Sequence, residues 1–158
     1  DLEADNLDLY GGVGLFSGAL AAKFGNGLRI TSVESFRQAT DDATLNLADL
    51  SKAKAVCAPV ERFLNERVGN LDKGGKTASP RNATIVLDPP RAGAGAKVVS
   101  LLLELAPQHI VYVACDPVAL ARDLKAFLAG GYELGEFRAF DLFPHTHHVE
   151  AVVSLVRK

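Results

Sequence analysis

Asp8-Leu9-Tyr10-Gly11-Gly12-Val13-Gly14 places a glycine-rich turn between a predicted strand (7–10) and a predicted helix (15–23). Glycine has no Cβ, so a turn of this kind lets a ligand approach the backbone closely, and Gly11 and Gly14 have the spacing for it. Nucleotide sites and ordinary tight turns share this pattern. The rest of the chain therefore has to distinguish between them.

The alternation of strand and helix continues to the end of the chain. Further strands are predicted over 28–33, 53–57, 84–87 and 110–114, and further helices over 35–50, 60–67, 96–105 and 117–128. Residues 133–140 and 149–156 have no helical pattern between them, which predicts an antiparallel hairpin at the sheet edge. Alternating β and α units predict an α/β fold, with a doubly wound, mostly parallel sheet covered on both faces.

The composition is that of a single domain of 158 residues, of which 48% are hydrophobic. No apolar run approaches the roughly 20 residues that cross a bilayer, and the acidic first residues do not resemble a signal peptide. Two cysteines in dissimilar contexts predict neither a disulfide framework nor a metal site. We expect a cytoplasmic protein that contacts no membrane, and we expect a monomer.

One internal stretch falls outside the regular pattern. Residues 69–81 contain Gly, Lys, Asp, Ser and Pro with few apolar residues, which predicts a mobile loop.

The chain begins without Met and enters its first strand almost at once, which indicates part of a longer protein. A net charge of −2 gives no electrostatic footprint for nucleic acid, so any binding of nucleic acid would depend on segments outside this chain.

Cys115 lies where a predicted strand turns into a helix. Asp116 suits the N-cap of that helix, and Pro117 suits its first position. A thiol just before a helix N-terminus faces unpaired backbone N–H groups and the positive end of the helix dipole, both of which favour the nucleophilic thiolate. The alternative is a small, buried, apolar cysteine.

Acidic residues follow two of the other predicted strands. Glu34 lies about 20 residues past the glycine turn, where a carboxylate can accept hydrogen bonds from ribose hydroxyls; a solvated acid at a strand end is the alternative. Asp88 opens the run Asp88-Pro89-Pro90-Arg91, in which two prolines stiffen the turn. A stiff turn suits a flat substrate lying against Pro89, Pro90 and Arg91, although it is also compatible with a rigid loop alone.

The segment 143–150 groups three histidines with a carboxylate. His147 and His148 are adjacent and would point apart on an extended chain, so we expect no metal there. Glu150 opens an otherwise apolar strand, which would partly remove it from water. Partial burial suits a carboxylate to proton transfer near neutral pH.

In order along nearly the whole chain, these motifs resemble those of the RNA uracil-C5-methyltransferases, which make 5-methyluridine in tRNA or rRNA. The motifs that carry the resemblance are 8–17, 33–34, 88–93, 112–117 with 121–123, and 141–150. The resemblance implies a Rossmann-like class I methyltransferase sheet with S-adenosyl-L-methionine as cofactor. It also implies that residues 1–158 are the catalytic domain, while RNA-binding segments precede it in a longer protein.

The resemblance further implies a role for individual residues. Cys115 would add to carbon 6 of the uracil, and Glu150 would remove the proton from carbon 5. Tyr10, Gly11, Gly14, Glu34 and Asp88 would bind the cofactor, with Asp88 between cofactor and base. The target uridine would have to leave its stack to reach the site.

Two other functions remain open. An RNA cytosine-C5-methyltransferase typically has a second cysteine directly after an Asp-Pro-Pro turn, and this chain has Arg91 there. A degenerate module that only binds the cofactor predicts loss of the nucleophile or the base, whereas Cys115 and Glu150 are both present. The chain also departs from the pattern of the uracil-C5-methyltransferases at Asp116, because the charge of this residue would oppose thiolate formation at Cys115 unless it caps the helix.

Overall fold

A seven-stranded sheet forms the centre of the molecule in the computed structural model, which describes residues 1–72, 82–146 and 149–158. In chain order the elements are β1 (Asn6–Leu9), α1 (Leu15–Phe24), β2 (Ile30–Glu34), α2 (Arg37–Asn46), β3 (Ala53–Cys57), α3 (Val60–Asp72), β4 (Thr84–Leu87), α4 (Gly95–Leu105), β5 (His109–Ala114), α5 (Pro117–Ala129), β6 (Tyr132–Phe140) and β7 (Glu150–Arg157). The strand order is β3-β2-β1-β4-β5-β7-β6. The predicted α/β class and the antiparallel hairpin are confirmed.

The topology places a ligand-binding crevice at a defined point of the sheet. β1 pairs in parallel with β2 on one side and with β4 on the other, so the chain reverses direction across the sheet between β1 and β4. Open α/β sheets bind ligands at the carboxyl ends of strands beside such a switch point. β7 runs antiparallel between β5 and β6, and the hairpin thereby extends the same edge.

The main hydrophobic core lies between the sheet and the helices that follow β3, β4 and β5. Its strands contribute fully buried side chains such as Leu9, Leu87 and Val153, and α4 and α5 contribute Leu102 and Phe127. Burial of this apolar surface is the dominant favourable term in folding. None of the helices in the described ranges has the length and hydropathy that a bilayer-spanning segment requires.

Several predicted helix ends coincide with specific capping groups. Gly25 ends α1 with a φ of 104°, and its N–H donates to the carbonyl of Ala21. Asp116 is the N-cap of α5, where its carboxylate accepts the N–H of Ala119 at 2.7 Å, and Pro117 is the first helical residue. Local side-chain chemistry therefore determines these ends.

Other boundaries differ from the prediction. α2 ends at Asn46 rather than near residue 50, because Leu47 is buried and the chain then turns through a hydrogen bond from Leu50 N–H to Leu47 O before β3. α3 continues to Asp72, so its last turn occupies the beginning of the predicted loop 69–81, whose remainder lies outside the described residues. β2 begins at Ile30, two residues later than predicted.

Phe127 provides a test of this core. Its ring is fully buried and meets Tyr132 edge to face, with centroids 5.8 Å apart and planes at 74°. We expect Phe127→Ala to lower the free energy of unfolding by about 3–5 kcal/mol in urea denaturation, because it leaves a cavity between α5 and β6. Leu128→Ala is the control, since Leu128 is 44% exposed on the same helix. An equal loss in both variants would contradict this packing.

Candidate functional site

The glycine turn after β1 is built on backbone contacts that exclude side chains. Gly11 donates its N–H to Val33 O at 3.1 Å, and a Cβ at this position would collide with Ser32 Oγ. Gly14 closes the turn by donating to Gly11 O at 2.8 Å, with a φ of 86°. Asp8 lies beneath the turn, fully buried. The predicted turn therefore forms at the carboxyl end of the central strand.

Asp8 fastens the start of α1 to this turn. Its Oδ2 accepts the N–H of Ser17 at 3.0 Å and the hydroxyl of Ser17 at 2.7 Å, whereas Oδ1 has no partner among the described residues. Burial raises the pKa of Asp8, and the two Ser17 hydrogen bonds only partly oppose that rise. The helix N-terminus is thereby held directly behind the glycines.

Glu34 ends β2 with its carboxylate fixed by two backbone amides. Oε2 accepts the N–H of Gly12 at 3.2 Å, and Oε1 accepts the N–H of Phe36 at 2.7 Å. The carboxylate is thus attached to the glycine turn itself. Phe36, which is 67% exposed, extends beside it as an uncovered aromatic ring. This is the side of the turn where a ribose could meet Glu34.

Tyr10 directly follows β1 and begins the glycine turn. Its φ is 63°, so the strand ends at Leu9 and the predicted last strand residue belongs to the turn. The half-buried ring packs against the main core. Burial, with the negative charges of Asp123 and Glu61, raises the pKa of Tyr10 to about 12. Its hydroxyl is therefore a protonated hydrogen-bond donor at neutral pH.

A cleft of about 430 Å³ brings Asp88, Cys115 and Glu150 together. The strand register explains this meeting. Ala114 pairs with Ala151 across β5 and β7, so Cys115, which directly follows β5, comes beside Glu150, the first residue of β7. Asp88 follows β4 at the same sheet edge. The rest of the cleft wall is apolar and consists of Val113, Phe140, Leu142, Phe143 and Val152.

The Pro-Pro turn also lies next to Cys115. Pro89, Pro90 and Arg91 line a narrow groove that also contains Cys115 and Asp116. Pro89 is buried, while Pro90 and Arg91 are exposed. The structure thus brings the three predicted substrate residues and the predicted nucleophile together. Glu34 and the glycine turn lie across the switch point, on the β1–β2 half of the sheet.

The surroundings of Asp88 in the cleft change the pKa of its carboxyl group. Partial desolvation raises the pKa of Asp88, and the negative charges of Glu150 and Asp8 raise it further. Like charges that share a site disfavour ionisation of both carboxyls at once. The cleft therefore offers paired carboxylates beside a thiol, which is a set of groups suited to covalent addition and proton removal at a flat, neutral ring.

Some residues of the site were not identified from the sequence. Asp123 is buried and reaches back to the turn after Asp88, and the motif 121–123 gave no role to it. The available signal was an acid on the apolar face of α5, in line with Ala119 and Phe127. Phe36 and Leu142 gave no distinct signal, since exposed apolar residues are common. His147 and His148 lie outside the described residues.

Comparison with known proteins gives consistent matches. The family model of the tRNA (uracil-5-)-methyltransferases matches residues 1–158. An uncharacterized RNA methyltransferase of Streptomyces avermitilis is 48% identical over 149 residues, which cover 94% of this chain and 32% of the relative. The chain therefore spans about a third of the length of this relative.

Solved structures share the fold. The tRNA (uracil-54, C5)-methyltransferase of Pyrococcus abyssi, in complex with S-adenosyl-L-homocysteine, superimposes with a TM-score of 0.74 at 33% identity, covering 97% of this chain and 34% of that one. Fibrillarin of Aeropyrum pernix, with bound S-adenosyl-L-methionine, has a TM-score of 0.72 at 15% identity, covering 98% and 67%. The second likeness extends to the fold alone.

The coupling between Asp88 and Glu150 is measurable. We expect Glu150→Gln to lower the pKa of Asp88, because the substitution removes a negative charge that opposes ionisation of Asp88. A pH titration of the side-chain carboxyl carbons by NMR measures this pKa. Glu133→Gln is the control, as Glu133 is exposed at the start of β6. An unchanged or higher pKa of Asp88 in Glu150→Gln would show that the two carboxyls do not interact.

Proposed function

Because this chain belongs to the tRNA (uracil-5-)-methyltransferase family, we propose that it is the catalytic part of a longer enzyme that methylates carbon 5 of a uridine in RNA. The observation that carries the proposal is the cleft in which Cys115, Asp88 and Glu150 meet. A nucleophile, an acid–base group and a flat apolar wall occupy one space there. A methyl transfer to an aliphatic or amino group would need no such thiol.

The cofactor is S-adenosyl-L-methionine, and the residues of the glycine turn fit it. Gly11 has no room for a Cβ, and Gly14 takes a left-handed conformation, so the backbone is open to close approach. Glu34 is held by Gly12 and can accept hydrogen bonds from ribose hydroxyls. Tyr10 and Asp88 directly follow the neighbouring strands β1 and β4, at the same edge of the sheet. The bound cofactor supplies an electrophilic methyl group on a sulfonium.

Cys115 starts the reaction as the nucleophile. Its thiolate adds to carbon 6 of the uracil and forms a carbon–sulfur bond, while the electron pair of the C5–C6 double bond moves to carbon 5 and the adjacent carbonyl. Carbon 5 would then be the nucleophile for the methyl group that the bound cofactor supplies, and the pair of the sulfur–methyl bond would remain on the sulfur. The Asp116 carboxylate is engaged in capping α5, which limits its opposition to the thiolate. The uridine enters this cleft flipped out of its stack.

Glu150 completes the reaction as the base. It accepts the proton from carbon 5, the electron pair of that C–H bond restores the C5–C6 double bond, and the bond to Cys115 breaks with its pair returning to sulfur. Asp88, whose pKa is raised, lines the same cleft and lies between the cofactor and the uracil in this proposal. Pro89, Pro90 and Arg91 form the stiff surface on which the ring rests.

The whole protein is needed to select the RNA. The charge of −2 on this chain gives almost no counterion release to drive RNA binding. We therefore assign selection among tRNA and rRNA uridines to segments outside residues 1–158. A monomeric, cytoplasmic enzyme is consistent with this division and is part of the same proposal.

Substitution of Cys115 and Glu150 in the full-length protein separates their roles. We expect Cys115→Ala to abolish both methylation and the covalent adduct with RNA carrying 5-fluorouridine. Glu150→Gln should lower turnover by about 100-fold or more and accumulate an adduct on ordinary uridine RNA, because addition proceeds but proton removal does not. A denaturing gel detects the adduct as a slow band.

Cys57→Ala is the matched control for this experiment, since Cys57 is the other thiol of the chain. It should leave methylation and adduct formation intact. An adduct that persists in Cys115→Ala and disappears in Cys57→Ala would assign the nucleophile to Cys57. Mass analysis of the product distinguishes 5-methyluridine from 5-methylcytidine and so tests the cytosine alternative.

Glu34 is tested through cofactor affinity. We expect Glu34→Ala to weaken binding of S-adenosyl-L-homocysteine by about 10- to 100-fold, because it removes a charged hydrogen-bond acceptor for the ribose. Calorimetry measures the affinity. Asp41→Ala, on the exposed side of α2, is the control and should bind normally. Equal affinity in both variants would remove Glu34 from the cofactor site.

A further inference from the structure

A buried carboxylate on α5 holds the end of the turn 88–93 where it leads into α4. Asp123 is 2% exposed. Its Oδ2 accepts the N–H of Ala94 at 2.8 Å, the N–H of Gly95 at 3.3 Å and the hydroxyl of Tyr112 at 2.7 Å. The N–H of Ala94 also donates to Tyr112 Oη at 3.0 Å. One carboxylate oxygen therefore joins α5, β5 and the turn.

Arg122 adds to the contacts that hold the turn against α5. Its Nε donates to Asp123 Oδ1 at 3.0 Å, and its Nη2 donates to the carbonyl of Ala92 at 2.7 Å. Gly93 lies between these contacts with a φ of 80°, and a Cβ there would come within 2.6 Å of Arg122 Nη2 and 2.7 Å of Asp123 Oδ2. The backbone of the turn therefore rests directly on the Arg122–Asp123 pair.

The other end of the turn forms one wall at Cys115. Asp88 N–H donates to Leu9 O at 3.2 Å, and Gly93 N–H donates to Pro90 O at 2.8 Å. Pro89 and Pro90 have no N–H to add further contacts. The groove beneath these prolines contains Cys115. The contacts to α5 thus determine how far the Pro-Pro turn stands from the thiol.

Burying this carboxylate is costly, which argues against a purely structural reason for it. The side chain of Arg122 is 57% exposed and compensates the charge of Asp123 only in part. Burial and the hydrogen bond to Asp123 raise the pKa of Tyr112 above its ordinary value, so its hydroxyl stays protonated as a donor. Apolar packing between α5 and the turn would stabilise the fold without these costs, but it would not fix the positions of single amides.

We propose that Asp123, supported by Arg122, is a positioning residue for methyl transfer, because it holds the turn 88–93 at the distance from Cys115 that the uracil requires. The inference rests on the proposed role of Cys115. Glu34 and the glycine turn lie on the other half of the sheet, and Asp88 is also held from that half through its N–H bond to Leu9 O, so most of the proposed cofactor contacts do not depend on this attachment. Loss of Asp123 therefore slows the chemistry and leaves cofactor affinity in place.

The test compares Asp123→Ala, Asp123→Asn and Lys125→Ala in the full-length protein, where Lys125 is an exposed residue of the same helix. Three quantities are measured: kcat for methylation, the rate of adduct formation with 5-fluorouridine RNA, and the affinity for S-adenosyl-L-homocysteine. A misplacement of about 1 Å lowers a rate by about 100-fold, so we expect that loss in kcat and adduct rate for Asp123→Ala, with affinity changed by less than about threefold. Asp123→Asn keeps an oxygen for the amides and should recover part of the rate.

Two results would overturn the proposal. One is a kcat for Asp123→Ala equal to that of Lys125→Ala, and the other is an equal loss of rate and cofactor affinity, which would indicate general unfolding. If Asp123→Ala does not fold, Tyr112→Phe and Arg122→Ala carry the test, because each removes one part of the attachment. A lowered kcat with normal affinity supports the role, and a normal kcat overturns it.

The Cys115→Ala variant separates this inference from the proposed function. If Cys115→Ala still forms the adduct, the assignment of the nucleophile fails. If Cys115→Ala forms none while Asp123→Ala reacts at the full rate, the proposed function stands and only the positioning role of Asp123 fails.

Discussion

The antiparallel register between β5 and β7 brings together groups that are far apart in the sequence. Ala114 pairs with Ala151, and this pairing sets Cys115 beside Glu150 at the open end of the two strands. A shift of one residue would turn every side chain of β7 to the opposite face. The buried and half-buried residues alternate along β7, so packing of Val153 and Leu155 in the core fixes that register. The chemistry of the cleft therefore depends on the hydrophobic pattern of an edge hairpin.

Negative charge collects where the reaction is proposed to occur. Asp88 and Glu150 share the cleft, and Asp8 adds to the rise in the pKa of Asp88 from beneath the sheet edge. Such a site would repel a phosphate, whereas a neutral pyrimidine ring can enter against Phe140 and Val152. The cleft thus suits a base that has left its stack while the RNA backbone is bound elsewhere.

Features fixed by neighbouring residues could be predicted from the sequence. Asp116 and Pro117 begin α5 as expected, since N-cap chemistry and the fixed φ of proline act within one turn of helix. The left-handed backbone of Tyr10 could not be predicted, because it arises where the strand meets the glycine turn. Nor could the contacts of Asp123, which reaches 28 to 29 residues back along the chain to the turn before α4. These contacts of Asp123 depend on packing between distant segments.

The switch point between β1 and β4 divides the site into two halves with different tasks. On the β1–β2 side, the glycine turn and Glu34 are joined by a hydrogen bond from Gly12 N–H and form the surface proposed for the cofactor. On the β4–β7 side, the thiol and the carboxylates stand on strand ends and on a turn held by α5. Asp88 lies at the boundary and joins the halves through its N–H bond to Leu9 O at 3.2 Å. The proposed methyl transfer between the halves therefore depends on keeping the Asp88 turn in place from both sides, through Leu9 on one side and Asp123 on the other.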